Sequence, residues 1–143
     1  MNLERLYFLR EENDMTQSDI GKLVGTKKVS VCNWEKTKAI IPLEKLNLLC
    51  NYFGVSMDYI LKLSDEKNSN TNNVILDKVL IGNNIKKIRE QNNLSQMALA
   101  KSLNTTQSTI WAYETGRTLI LTAFAYQICA KYNVSMDWLC GRK

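Results

Sequence analysis

Residues 3–63 of this chain return, without a gap, as residues 82–142. The offset is 79 residues: Leu9-Arg10-Glu11-Glu12-Asn13-Asp14-Met15-Thr16-Gln17 becomes Ile88-Arg89-Glu90-Gln91-Asn92-Asn93-Leu94-Ser95-Gln96. Identical pairs include Arg10/Arg89, Gln17/Gln96, Glu35/Glu114, Cys50/Cys129 and the run Val55-Ser56-Met57-Asp58/Val134-Ser135-Met136-Asp137. Most other pairs exchange like for like, as in Val31/Ile110, Trp34/Tyr113 and Phe53/Tyr132. A unit of roughly sixty residues is longer than a solenoid repeat and can form a small core of its own. The repeat therefore predicts two small domains in tandem, at residues 1–63 and 79–143, with 64–78 as a linker.

Within each copy the apolar residues recur at helical spacing. Leu6 and Leu9 (Ile85 and Ile88) lie one turn apart on a first helix. Leu46, Leu49, Cys50 and Phe53, matched by Ala125, Ile128, Cys129 and Tyr132, stripe a fourth. Between these lie two short helices. Thr16 and Ser95 are suited to cap the first of the pair, and Thr106 the second in copy two. Lys27, in the matching place of copy one, is a poor cap. A fifth short helix is expected after Ser56/Ser135, with Asp58/Asp137 in its first turn to complement the helix dipole. No segment alternates with period two, so five helices per copy and no sheet are predicted.

Composition narrows the functional classes. No apolar run approaches the roughly 20 residues a membrane helix needs, and Met1-Asn2-Leu3-Glu4-Arg5 lacks the apolar core of a signal peptide. A cytoplasmic protein with no membrane partner is expected. The chain has no His, and Cys32, Cys50, Cys129 and Cys140 show no Cys-x-x-Cys spacing. Zinc ligation and His-dependent catalysis lose their usual groups together. With no phosphate-binding Gly loop either, no enzyme, metal, cofactor or small-molecule ligand is expected. Cys50 and Cys129, alike on an apolar face, are read as buried thiols. Net charge is +5, concentrated in copy two: residues 1–63 hold nine Lys/Arg against eight Asp/Glu, residues 82–143 eight against three. Such a surface attracts polyanions.

Between the copies, Ser64 to Asn73 is polar and Asn-rich, a linker composition. The strip Val74-Ile75-Leu76-Asp77-Lys78-Val79-Leu80-Ile81 is too apolar for a free linker. It reads either as a lead-in packed on the second domain or as a strip that docks domains or pairs chains.

Residues Gln17 to Lys36 and Gln96 to Thr115 have the pattern of a helix-turn-helix. Two short helices cross closely, so the first needs a very small residue; Gly21 and Ala100 stand there. The turn needs positive φ, which Gly25 and Asn104 adopt cheaply. Ile20, Val24, Val31 and Trp34, or Leu99, Leu103, Ile110 and Tyr113, would hold the pair to the domain. Arg10 and Glu35 share with Arg89 and Glu114 a separation of 25 residues, which suggests structural ion pairs tying the first helix to the third.

At these residues the chain resembles the Cro/C1-type (XRE-family) helix-turn-helix domains of phage and bacterial repressors. Copy two carries the resemblance best, in Leu94-Ser95-Gln96-Met97-Ala98-Leu99-Ala100, Thr105-Thr106-Gln107-Ser108-Thr109-Ile110, Tyr113-Glu114-Thr115-Gly116-Arg117 and Val134-Ser135-Met136-Asp137-Trp138-Leu139. Copy one puts Thr37 where the family has Gly. The resemblance implies an all-α fold of two tandem five-helix lambda-repressor-like DNA-binding domains joined by a polar linker. It also implies a sequence-specific transcriptional regulator of double-stranded DNA, a repressor by family analogy. Gln17 and Gln96 would then meet DNA phosphate, and the third helix would lie in the major groove. There Gln107 suits adenine, with Ser108 beside it and Thr105 and Thr106 at the helix start, Thr106 near phosphate or a thymine methyl. Copy one would present Lys27, Lys28, Val29 and Asn33, with Lys suited to guanine and Asn to adenine. Lys36, Lys38 and Arg117 would take phosphates.

Three questions stay open at this level. Trp111, between Ile110 and Ala112, could stack on sugar or base, cover a domain contact, or fold back on its own domain. Because the reading faces differ, either one chain reads an asymmetric site or two chains form a homodimer presenting the better reader, copy two. Domain 1, near-neutral and lacking the family Gly, could instead be a protein-interaction or dimerisation module, with only domain 2 on DNA.

Overall fold

A computed structural model describes residues 1–69, 71 and 73–143; Asn70 and Asn72, part of the polar run read as linker, lie outside the described residues. The chain divides into two compact units, Met1–Val74 and Ile75–Lys143. Unit one holds α1 (Glu4–Glu12), α2 (Gln17–Val24), α3 (Lys28–Glu35), α4 (Leu43–Phe53) and α5 (Met57–Ile60). Unit two holds α6 (Lys78–Gln91), α7 (Gln96–Ser102), α8 (Gln107–Glu114), α9 (Thr122–Tyr132) and α10 (Met136–Leu139). Both are all-helical among the described residues; the nearest thing to a sheet is an isolated bridge between Val55 and Asn68.

Local chemistry accounts for where these helices begin. Thr16 and Asp19 form a capping box: the Asp19 N–H donates to Thr16 Oγ1 at 3.1 Å and the Thr16 N–H to Asp19 Oδ2 at 2.8 Å. Those bonds to Thr16 hold the Asp19 carboxyl below its ordinary value. Ser95, Thr106, Ser56 and Ser135 each accept from the backbone N–H three residues on, satisfying a donor that the helix leaves orphaned. Lys27 stands at the cap of α3 with no side-chain bond.

The same scaffold is built twice. Leu6, Leu9, Ile20, Val24, Val31, Trp34, Leu46, Leu49 and Cys50 are buried, and so are their partners 79 positions on. Left-handed backbone repeats as faithfully. Asp14/Asn93, Gly25/Asn104, Thr37/Gly116, Gly54/Asn133 and Lys62/Gly141 all have positive φ, marking each helix end at the same place in both units. Gly21 is small for a local reason: a Cβ there would lie 2.7 Å from the Thr26 carbonyl, in the turn that leads into α3.

The polar segment after residue 63 does not run free. Arg5 donates to the Ser64 carbonyl at 2.6 Å and to Asp65 Oδ1 at 2.6 Å. The Ser56 N–H donates to the Lys67 carbonyl, and the Ser69 N–H to that of Gly54. Asn47 and Asn51 on α4 then donate their side-chain amides to the Val74 carbonyl at 2.8 and 3.0 Å, while the Val74 N–H donates to Asn51 Oδ1. Polar composition marked an exposed path here, but backbone hydrogen bonds hold that path against unit one.

The apolar strip that follows splits between the units. Val74 belongs to unit one. Asp77 caps α6 by accepting from the Val79 and Leu80 N–H groups, and Ile81 is buried. Residues 78–81 therefore form the first turn of a helix of 14 residues, against 9 for α1, with Ile81 packed on its own domain and Val79 and Leu80 exposed. This extension passes over the end of α8 at Gly82, where a Cβ would strike the carbonyl oxygens of Tyr113 and Glu114, the latter at 2.7 Å.

Candidate nucleic-acid interface

In unit two the start of α7 and one face of α8 are held together by a buried ion pair. From α6, Arg89 reaches the last residue of α8: Nε donates to Glu114 Oε2 at 2.7 Å and Nη2 to Oε1 at 3.0 Å. Its remaining Nη1 donates to the Leu94 carbonyl at 2.9 Å, in the loop before α7. The bidentate hydrogen bond to Glu114 raises the Arg89 pKa further, against the opposing effect of burial. Gln96, the first residue of α7, donates its side-chain amide to Glu114 Oε1 at 3.2 Å. One carboxylate thus ties three helices and orients a glutamine expected on the DNA backbone.

Gln96, Gln107, Ser108, Trp111, Ala112 and Arg117 line one open concavity of about 450 Å³. Four of these six are residues that the sequence reading assigns to DNA, and no carboxylate lies among them. Gln107 and Ser108 are the exposed first residues of α8, while its other face buries Ile110, Tyr113 and Glu114. Thr106 spends its hydroxyl on the cap, bonding the Thr109 N–H and facing Thr109 Oγ1 at 3.0 Å. Thr105 is half-buried, its N–H donated to the Ala100 carbonyl. These two threonines stand outside the concavity, at its helix-start edge.

Helical periodicity predicts partial exposure for Trp111. It is 45% exposed, and the Arg117 guanidinium lies over its ring, 5.5 Å from the centroid. It neither folds into the core nor stands apart from the other residues of the concavity.

Unit one repeats the frame with different chemistry. Arg10 donates to both Glu35 oxygens at 3.0 Å, and Gln17 to Glu35 Oε1 at 3.2 Å. The hydrogen bond to Glu35 again raises the Arg10 pKa. Gln17 and Lys28 share a depression of about 440 Å³ with Arg10, Glu11, Asp14, Met15 and Thr16. At these positions the copies differ by one carboxylate, Asp14 against Asn93, since Glu11 is matched by Glu90. Val29 is 59% exposed, Asn33 half-buried, and Lys27, Lys36 and Lys38 exposed, none of them in that depression. Four of the expected contacts of copy two thus share one surface, while of those of copy one Gln17 and Lys28 share a depression lined by two cations and two carboxylates.

Comparison with known proteins covers both units. Residues 82–142 match the family described as "Helix-turn-helix domain", and residues 6–60 that described as "Helix-turn-helix". Over 66 residues the chain is 35% identical to YobD of Bacillus subtilis (strain 168), named as an uncharacterized HTH-type transcriptional regulator; that stretch is 46% of this chain and 59% of YobD. The chain thus spans less than two thirds of that relative's length. Among solved structures, the restriction-modification controller protein C.AhdI from Aeromonas hydrophila is 21% identical with a TM-score of 0.41, covering 44% of this chain and 96% of its own. A hypothetical transcription factor, NHTF from Neisseria, is 20% identical with a TM-score of 0.41, covering 49% and 86%.

Proposed function

Each half of this chain belongs to the helix-turn-helix family of Cro/C1 (XRE) type, and from that premise we propose that the protein is a sequence-specific double-stranded DNA-binding regulator, a repressor, whose principal reader is unit two. The observation that carries this reading is the convergence of Gln96, Gln107, Ser108 and Arg117 on one carboxylate-free concavity at the exposed start of α8. A helix start presented to the major groove puts its first side chains on base edges. Gln107 can donate its amide N–H to adenine N7 and accept from N6 at its carbonyl oxygen, and Ser108 accepts or donates beside it. Gln96 and Arg117, on either side, suit the flanking phosphates. Gln96 Nε2 has a second N–H besides the one given to Glu114, so orientation by the ion pair leaves it a donor for DNA.

Unit one has the same frame, and Lys27, Lys28, Val29, Asn33, Lys36 and Lys38 at the matching face. Its charge is nearly balanced, and in its depression Glu11 and Asp14 offset Arg10 and Lys28, so phosphate is attracted less than by unit two. This favours a second role for unit one, as a weak backbone contact or a protein-interaction module. Since the two reading faces differ, a single chain suits an asymmetric site, whereas a homodimer would place two copies of unit two on paired half-sites.

Selection of duplexes from random DNA by the full-length chain tests the reading. We expect one motif containing adenine whose preference is lost in Gln107→Ala. Arg117→Ala should weaken binding to all sequences and lower the salt slope by about one contact. Loss of Lys28, Lys36 and Lys38 together should matter less than loss of Arg117 alone. Recovery of no motif by the wild-type chain would sink the proposal; the reverse ranking of the two units would overturn the division of labour.

A further inference from the structure

We infer that Trp111 is itself a DNA-contacting residue of unit two, laying its indole on the apolar surface of the groove wall: the deoxyribose or the 5-methyl of a thymine beside the base read by Gln107. The inference rests on the DNA-binding reading above.

Three observations carry it. Trp111 is 45% exposed in the same concavity as Gln107, Ser108 and Arg117, and is the large apolar side chain there. An exposed indole beside base-reading and phosphate-binding side chains adds a large, rigid apolar face to them. Secondly, the fold does not need it: α8 buries Ile110, Tyr113 and Glu114, and unit one builds the same helix with Cys32 at the equivalent position. The scaffold repeats at this point while the side chain does not, which assigns Trp111 to what differs between the units, the readout. Thirdly, its place fits. It follows Gln107 by one turn on the same face, about 6 Å along the axis. The Arg117 guanidinium lies over the ring, a cation–π contact. A residue that shares one concavity with a base reader and a phosphate binder meets the surface those two leave uncontacted, namely sugar and, at thymine, the methyl group. Such a contact is apolar, so it adds affinity without neutralising a phosphate.

The test uses the full-length chain and a fluorescein-labelled duplex recovered by its own selection, titrated at several KCl concentrations. Trp111→Ala is expected to weaken binding roughly tenfold, the order of loss when a buried apolar contact of this kind is removed. The slope against salt should stay the same, and Trp111→Phe should recover part of the loss. Circular dichroism melts of the three proteins should coincide, since the side chain is not in the core. Thymine-to-uracil substitution, position by position, separates the two sources. One position that weakens wild type but not Trp111→Ala identifies the methyl; no such position, with the tenfold loss intact, identifies the sugar. Affinity of Trp111→Ala within twofold of wild type would overturn the inference. So would a loss that vanishes at high salt with a slope lower by one, because Trp111 would then only be positioning Arg117. If wild type selects no duplex at all, it is the DNA-binding reading that fails.

Discussion

Gln96 Nε2 and Arg89 Nη2 donate to the same oxygen of Glu114, at 3.2 and 3.0 Å, so the group expected at the DNA backbone is braced by the ion pair that holds the domain together. Gln17, Arg10 and Glu35 repeat the arrangement in unit one. Side-chain exposure is 13% for Arg89 and 3% for Glu114, hence either ion left alone would be a nearly buried charge.

Removing one partner should therefore cost far more than removing both. Glu114→Ala or Arg89→Ala is expected to destabilise unit two by about 3–5 kcal/mol, whereas Arg89→Met with Glu114→Leu should recover much of that. Urea titration, with hydrogen exchange of α6–α8 peptides to locate the loss, checks this. Single variants within about 1 kcal/mol of wild type would show that solvent reaches the pair and screens it.

A second relationship ties α6 to α8 through backbone. At Gly82 a Cβ would lie 2.7 Å from the Glu114 carbonyl oxygen and nearer still to that of Tyr113. These are main-chain atoms at the end of a packed helix and cannot swing aside. Gly82→Ala should cost about 2–3 kcal/mol in unit two despite the better helix propensity of Ala. It should also lower DNA affinity, by displacing the end of α8 from which Arg117 follows. A variant as stable as wild type would mean that the first turn of α6 can lift away without loss.

What the chain reveals before folding and what it hides have different physical origins. Caps, apolar stripes and the turn residues are local, so Thr16, Ser95, Thr106, Gly25 and Asn104 could be read directly. The Arg–Glu pairs are non-local, yet repetition made them legible: the same two residue types at the same separation in both copies constrain each other. Nothing comparable announced Gly82, since its counterpart Leu3 lies outside α1 and the close approach exists only because α6 is longer. Nor did composition distinguish a free linker from one pinned by Asn47 and Asn51, because the bonds that pin it are made to backbone. For the interface, the residue types on α8 were readable. The sharing of one concavity by Trp111 and Arg117 was not, because it depends on how the chain turns after Gly116.

The last contrast between the copies is also the most direct test of their shared frame. Thr37 has φ 58° where Gly116 has φ 77°, so a β-branched residue occupies the left-handed conformation that ends α3. Its hydroxyl donates to the Lys36 carbonyl at 2.7 Å, offsetting part of a steric cost of about 1–2 kcal/mol. Thr37→Gly should accordingly stabilise unit one, by about 0.5–1 kcal/mol after the larger entropy of the unfolded glycine is counted. Gly116→Thr should do more harm in unit two than the reverse change does good in unit one. There, besides the left-handed φ, a Cβ would lie 2.9 Å from Val79 Cγ2 and 3.0 Å from Val79 Cα, on the extra turn of α6 that unit one lacks. Urea midpoints of the two variants, assigned to their units by hydrogen exchange, measure both. A destabilised Thr37→Gly chain would mean that the Thr37 hydrogen bond outweighs the strain, and that copy one has adapted to its departure from glycine.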